Sequence, residues 1–151
     1  MELSIVSRTL TYYLRHKLDI FNHDEEGFVE YSLLVKENER LDISEEEIFK
    51  LVNSDKKSRL KLKFKNDKLF IRANQGHSVK VLDDNILLKK IIEPIDGCFH
   101  GTFKNVIDKI SVEGLSRMTR KHIHFAKTID SASGARGSCN VRIFIDMKKA
   151  I

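Results

Sequence analysis

Between Ile71 and Ser78 the chain reads Ile-Arg-Ala-Asn-Gln-Gly-His-Ser, which places a cation, two amides, an imidazole and a hydroxyl around one glycine, directly after an apolar strand. Gly76 permits a backbone conformation with φ > 0, and amide, imidazole and hydroxyl donors beside Arg72 could surround a phosphate from several directions. A polar hairpin exit with Arg72 in solvent would have the same composition, since isolated polar turns are common. A second pair of chemical side chains is Arg15-His16, within Leu14-Arg15-His16-Lys17. At the end of a helix such cations also complement the dipole, an effect worth about 0.3–1 kcal/mol without any ligand. The C-terminal part adds Cys98-Phe99-His100-Gly101-Thr102, His122-Ile123-His124-Phe125, and a small-residue loop from Ser131 to Ser138 in which Arg136 is the one cation.

Several chemistries are disfavoured. His122 and His124 alternate along one segment and could both reach an ion, but zinc needs a third and usually a fourth ligand. No Asp, Glu or Cys stands at a supporting spacing, so no metal is expected and hydrogen-bonding histidines are. Cys98 and Cys139 are isolated, without CxxC or Cys/His spacing, which suits small buried hydrophobes in a reducing compartment better than nucleophiles, a zinc site or a disulfide. Walker-type and Rossmann glycine motifs are absent, so a nucleotide site would have to be of another design.

The elements that must carry these residues follow from periodicity. Leu3, Val6, Leu10, Tyr13, Leu14 and Leu18 recur at helical steps and predict an amphipathic helix bearing Arg15 and His16 near its last turns. A turn through Asp24-Glu25-Glu26-Gly27 leads to Phe28 and Val29 and then to a short helical stretch around Leu33, Leu34 and Val35. Ser44 and Glu47 form a capping box, and Ile43 and Ile48 a hydrophobic staple, so a helix begins after Ser44 with Ile48, Leu51 and Val52 on its buried face. Leu60, Leu62 and Phe64 alternate, turn at Lys65-Asn66-Asp67, and give way to alternating Leu69 and Ile71, a β-hairpin. Helices followed by a two-stranded wing suggest a winged-helix lobe, which by itself establishes no role.

The single proline, Pro94, biases Glu93 away from helix, and the lobe boundary is placed there. The second lobe should open with a strand end that runs into a tight turn at His100-Gly101-Thr102. Thr102 should cap a helix carrying Val106, Ile107 and Ile110, which Gly114 stops. His122 to Phe125 should form a strand with both imidazoles on one face, and Val141 to Asp146 a final strand.

At 151 residues, with an apolar fraction of 41%, the chain is long enough for one domain or two small lobes with packed cores. The excess of 27 basic over 22 acidic residues gives a net charge of +5, which favours a polyanionic partner without requiring one. No apolar run reaches the roughly 18 residues of a membrane span and no signal-peptide pattern opens the chain, so a soluble intracellular protein, cytoplasmic or nuclear, is expected.

Taken together, Leu14-Arg15-His16, Ile71 to Ser78, His100-Gly101-Thr102, the run from Gly114-Leu115 through Met118 and Arg120 to His122-Ile123-His124-Phe125, and Ser133-Gly134-Ala135-Arg136 occur in one order. In that order they resemble the NAD-dependent RNA 2′-phosphotransferases that complete tRNA splicing. The likeness covers essentially the whole chain, and Arg-Ala-Asn-Gln-Gly-His-Ser is its most specific part. It implies an α+β protein in which residues 1–92 form a winged-helix RNA-binding lobe. Residues 93–151 would form an ADP-ribosyltransferase-like NAD lobe, with the site in a cleft between the two. Members of the family usually continue past the last strand, so this second lobe is expected to be shortened.

The resemblance maps the catalytic residues onto Arg15, His16, Arg72 and Arg136, and the NAD contacts onto His100, Gly101, Thr102, His124, Ser133 and Gly134. The RNA phosphate would meet Arg15, His16, Arg72, Gln75, His77 and Ser78. The implied partner is RNA with an internal 2′-phosphate, a tRNA above all, taken by a monomer with NAD as co-substrate. In the first implied step the 2′-phosphate attacks C1″ of the nicotinamide ribose and nicotinamide leaves. In the second, O2″ attacks phosphorus, giving RNA with a 2′-hydroxyl and ADP-ribose 1″,2″-cyclic phosphate. The attacker is already an anion, so it needs a positioning clamp and no general base. Two alternatives stay open: a non-catalytic RNA-binding module, and an ADP-ribosyltransferase acting on a nucleic-acid phosphate by the first step alone.

Overall fold

The computed structural model describes residues 3–131 and 133–151; Ala132, inside the small-residue loop, lies outside them. The chain is mixed α and β with small sheets, and it divides into two compact units, Met1–Lys89 and Lys90–Ile151.

In the first unit, helix α1 (Leu3–His16) buries Val6, Leu10 and Leu14. A 3₁₀ turn, Leu18–Ile20, buries Leu18 and leads through the 24–28 turn to the two-residue strand β1 (Val29–Glu30). The alternation of Phe28 and Val29 was too short to announce that strand. Helix α2 (Tyr31–Glu37) follows, anchored by the Tyr31 hydroxyl donating to the Leu41 carbonyl. Helix α3 (Glu45–Ser54) starts at the expected capping box: the Glu47 N–H donates to Ser44 Oγ at 3.3 Å, and the Ser44 N–H donates to the Glu47 carboxylate at 3.0 Å. Ile48 and Leu51 of α3 are buried.

Strands β2 (Leu60–Lys65) and β3 (Lys68–Ala73) form the hairpin, and β1 pairs on the other side of β3, giving the antiparallel order β1-β3-β2. Asn66 and Asp67 have φ of 51° and 56°, as a two-residue turn requires if its twist is to match the strands. Alternation sends Leu69, Ile71 and Ala73 into the core with the α1 and α3 residues, while Phe70 and Arg72 lie on the other face. There Arg72 stands opposite Lys61 in register. A short helix α4 (Asp84–Leu87) ends the unit, capped by Asp83, and Leu82 joins the same core.

The second unit holds β4 (Phe99–Thr102), α5 (Ile107–Glu113), β5 (Val141–Phe144) and α6 (Met147–Ala150). β4 and β5 pair antiparallel, with His100 opposite Ile143 and Gly101 opposite Arg142. Its small core is Phe99, Ala126 and Ala135.

Here three expectations need correction. His100-Gly101-Thr102 lies within β4 and not in a tight turn, because pairing with β5 keeps the backbone extended. Thr102 does not cap the following helix: it is buried in the strand at 8% exposure, and the Lys104 N–H at the start of the 3₁₀ turn Lys104–Val106 is accepted by Asn140 Oδ1 at 3.0 Å. His122 to Phe125 is irregular, and only Ala126 bridges to β4, through a reciprocal pair of bonds with Phe99 of 2.8 and 2.9 Å. Gly114 does stop α5, at φ 78°. Among the described residues no helix is long and apolar enough to cross a membrane.

Candidate functional site

Burial of Leu14 fixes the rotation of α1 and so fixes where Arg15 and His16 emerge at its end. The last carbonyls of a helix have no partner within it. That of Arg15 is satisfied from the far end of the Arg72–Ser78 stretch: the Ser78 N–H donates to it at 2.9 Å and the Ser78 hydroxyl at 3.4 Å. The same hydroxyl lies 2.9 Å from His16 Nδ1. With its proton given to the Arg15 carbonyl, Ser78 Oγ accepts from His16 Nδ1–H, which fixes the orientation of the ring.

Gly76 has φ 81°, and its missing side chain admits Arg15, since a Cβ there would lie 3.2 Å from Arg15 Cζ and Nε. Two motifs far apart in sequence thus meet.

Arg72 projects from β3 with its side chain 14% exposed. Its Nη1 donates to both the carboxylate and the carbonyl of Glu26, each at 3.2 Å, and its guanidinium lies 4.9 Å from the Phe28 ring centre. Arg72 Nε is buried with no hydrogen-bond partner among the described residues, leaving a charged donor that an oxyanion could satisfy.

Glu26 is itself held by Asp24, which accepts from the Glu26 N–H at 3.1 Å, the Phe28 N–H at 2.9 Å and Lys63 Nζ at 2.7 Å. Burial pushes the Asp24 carboxyl up, but Lys63 and these amides outweigh it, so its pKa falls below the ordinary 3.8. Glu26 and Phe28 were not legible as site residues, because 46 positions separate Glu26 from Arg72 and no spacing joins them.

Of the remaining candidates in this unit, Gln75 is half-buried and His77 is buried at 6% exposure. Asn74 braces the hairpin, its Nδ2 donating to the carbonyls of Ser58 at 2.7 Å and Leu60 at 3.3 Å.

The second unit gathers most of its own candidates around β4. His100 Nδ1 is 2.9 Å from the His124 carbonyl, and since a carbonyl only accepts, the ring proton sits on Nδ1 and Nε2 is left for other chemistry. The Gly101 N–H donates to the Gly134 carbonyl at 2.7 Å. A Cβ on Gly101 would come within 2.8 Å of Cys139 Sγ and 3.0 Å of Ala135. At Gly134, φ is 83° and a Cβ would fall 2.1 Å from the Phe125 backbone, so only glycine fits. Ser133 is half-buried beside it, and Arg136 is exposed, its carbonyl accepting from the Cys139 N–H at 3.0 Å. Arg136 belongs to this unit, and Arg15, His16 and Arg72 to the first.

The chain is of the α+β class, and in its first unit an arginine-histidine pair is joined to a glycine-centred polar stretch. More particularly, it belongs to the family described as RNA 2′-phosphotransferase, Tpt1 / KptA family, whose model matches residues 2–151. It is 35% identical to a zebrafish (Danio rerio) protein named tRNA 2′-phosphotransferase 1, over 97% of this chain and 69% of that protein. It is 34% identical to a putative tRNA 2′-phosphotransferase of Schizosaccharomyces pombe, over 96% of this chain and 41% of that protein. A probable RNA 2′-phosphotransferase of Fusobacterium nucleatum is 32% identical over 84% of this chain and 70% of its own length.

Proposed function

We propose that this chain removes an internal 2′-phosphate from RNA, a tRNA above all, by transferring it to NAD. The observation that carries this is the convergence of Arg15, His16, Gly76 and Ser78 within one unit, which also holds Arg72 with a buried Nε that has no partner among the described residues. The element order α1-β1-α2-α3-β2-β3 supports assigning this unit as a winged-helix RNA lobe. For the second unit, His100 in β4, whose Nδ1–H is held by the His124 carbonyl so that Nε2 is left, suits contact with a dinucleotide. That supports an ADP-ribosyltransferase-like role.

In this scheme Arg15 and Arg72 grip the RNA 2′-phosphate as planar forks, which hold two oxygens at fixed geometry where a lysine would hold one point. His16, oriented by Ser78, bonds the same phosphate and partly neutralises it. NAD supplies the ribose carbon that receives the phosphate and the hydroxyl that later displaces RNA. His100, Gly101, Thr102, His124, Ser133 and Gly134 are the residues that would hold it. Gln75 and His77 belong to the shell of the phosphate site. Arg136 stabilises charge on the phosphoryl oxygens while the bond from phosphorus to RNA O2′ breaks, and the O2″ proton passes to O2′.

Incubating the protein with a 2′-phosphorylated oligonucleotide and NAD tests the proposal. Expected are nicotinamide, RNA with a 2′-hydroxyl, and ADP-ribose 1″,2″-cyclic phosphate in equal amounts. RNA binding with no nicotinamide release would make the chain a binding module. Nicotinamide release that ends at ADP-ribosylated RNA would make it a phosphate ADP-ribosyltransferase.

A further inference from the structure

Along the outer face of α1 runs a concavity of about 510 Å³ whose charged and aromatic lining is Arg8, Tyr12, Arg15, His16 and Arg59. The rest of its wall is hydroxyls of the same helix, and among the described residues no carboxylate lines it. Arg15 and His16 close one end, so the groove is continuous with the phosphate site. Arg8 lies seven residues from Arg15, on the same helix face and about 10 Å away along the axis.

Arg59 forms the opposite bank. It is held at 2.6 Å by Asp55, whose side chain is only 9% exposed, and its carbonyl accepts from the Asn74 N–H at 2.9 Å. The cation is therefore tied both to α3's end and to the stretch that carries Arg72. Tyr12 is 50% exposed, and its ring leans on His16 at 5.7 Å between centres and on Tyr13 at 5.7 Å. That brace leaves a large aromatic surface held beside the phosphate-contacting histidine.

We infer that this groove is a binding track for the nucleotides flanking the 2′-phosphate: Tyr12 stacks the base next to the phosphorylated nucleotide, and Arg8 and Arg59 take successive backbone phosphates. The inference rests on the RNA 2′-phosphate assignment for Arg15 and His16, which it extends from one phosphate to a length of single strand. Cations alone would suit an acidic peptide equally. An aromatic platform placed among them favours nucleic acid, because every base offers a face to stack and every linkage a phosphate.

The test uses the full chain and a fluorescent single-stranded RNA with 2′-hydroxyls only, so that its outcome does not depend on any reaction. Affinity is read by anisotropy across a salt series. For Arg8→Gln the slope of log affinity against log salt should fall by about 0.7, the value of one phosphate contact on a single strand. Tyr12→Leu should weaken binding about tenfold with the slope kept, and Tyr12→Phe should restore it. A nucleoside 2′-phosphate, used as a competitor that reaches only the clamp, should suffer at least fivefold less from Arg8→Gln and Tyr12→Leu than the oligonucleotide does.

Equal losses on both probes would confine the groove to the phosphate clamp and overturn the track. So would an unchanged salt slope in Arg8→Gln with unfolding midpoints intact, or polyglutamate competing as well as RNA of equal charge. Failure of 2′-phosphate transfer with these binding results in place would instead count against the assigned reaction alone.

Discussion

The amide hydrogen of Ser78 is donated to the backbone carbonyl of Arg15 at 2.9 Å, closing the last turn of α1 with a residue 63 positions away. One bond thus terminates a helix and brings Arg15-His16 and the Arg72–Ser78 stretch together. The backbone part of this link survives any substitution at 78 except proline, whereas the hydroxyl part, which orients His16, does not.

Ser78→Ala should therefore cost little stability, about 1 kcal/mol for the lost side-chain bonds, while lowering kcat/KM for 2′-phosphorylated RNA about tenfold. Unfolding midpoints measured beside single-turnover rates separate the two effects. A rate equal to the parent's would remove Ser78 as the residue that orients His16.

Arg72 is aimed by Glu26 and backed by Phe28. Arg72→Lys keeps the charge but loses the fork, and a loss of roughly tenfold to a hundredfold in kcat/KM is expected, about 1.4–3 kcal/mol of transition-state stabilisation. Glu26→Gln, which can still accept from Nη1, should fall by less than Glu26→Ala. If the two Glu26 variants are equally impaired, charge and not orientation is what Glu26 supplies.

Gly101 abuts Cys139 and Ala135, so any side chain there strains the second unit before it can affect a ligand. Gly101→Ala should destabilise by about 1–3 kcal/mol through overpacking. Cys139→Ala should recover part of that in the double variant, because the closest clash, 2.8 Å to Sγ, is gone. Strict additivity of the two would show that the sulfur is not the obstacle.

Arg136 is exposed and stands in the small-residue loop of the second unit. If it stabilises phosphoryl charge in the second chemical step, Arg136→Ala should slow that step about a hundredfold, near 3 kcal/mol. RNA-2′-phospho-ADP-ribose should then accumulate on a quenched gel while some nicotinamide is still released. An equal slowing of both steps, together with a lower melting temperature, would reduce Arg136 to a brace for its loop.

The Asp24 carboxyl gains its amide and Lys63 partners only in the folded state, and its folded pKa is lowered. A lowered value means that the stabilisation is complete above the ordinary 3.8 and is lost as pH falls through the folded-state value below it. The gap in unfolding midpoint between the parent and Asp24→Ala should hold from neutral pH to mild acid and narrow in strong acid. A gap that persists there would place the stabilisation in groups other than this carboxylate.

What the sequence determined by itself are the features written in local spacing. The α1 stripe, the Ser44–Glu47 capping box, the β2–β3 hairpin and the Gly114 stop each depend on residues within a turn or two of one another. The RNA 2′-phosphotransferase family, too, could be read from motif order, since the order of motifs is a property of the chain alone. Tertiary structure decided what depends on distant partners. His100-Gly101-Thr102 looks like a turn because it is polar and glycine-bearing, but pairing with Val141–Phe144 makes it a strand. Thr102 has the chemistry of a cap, yet burial withdraws it, and the Lys104 amide is taken by Asn140, 36 positions beyond Lys104. Glu26 became the partner of Arg72 only when β1 aligned beside β3 and brought the 24–28 turn to the sheet face. Hydrogen bonds and ion pairs act over a few ångströms, and only the folded chain sets which distant residues come that close.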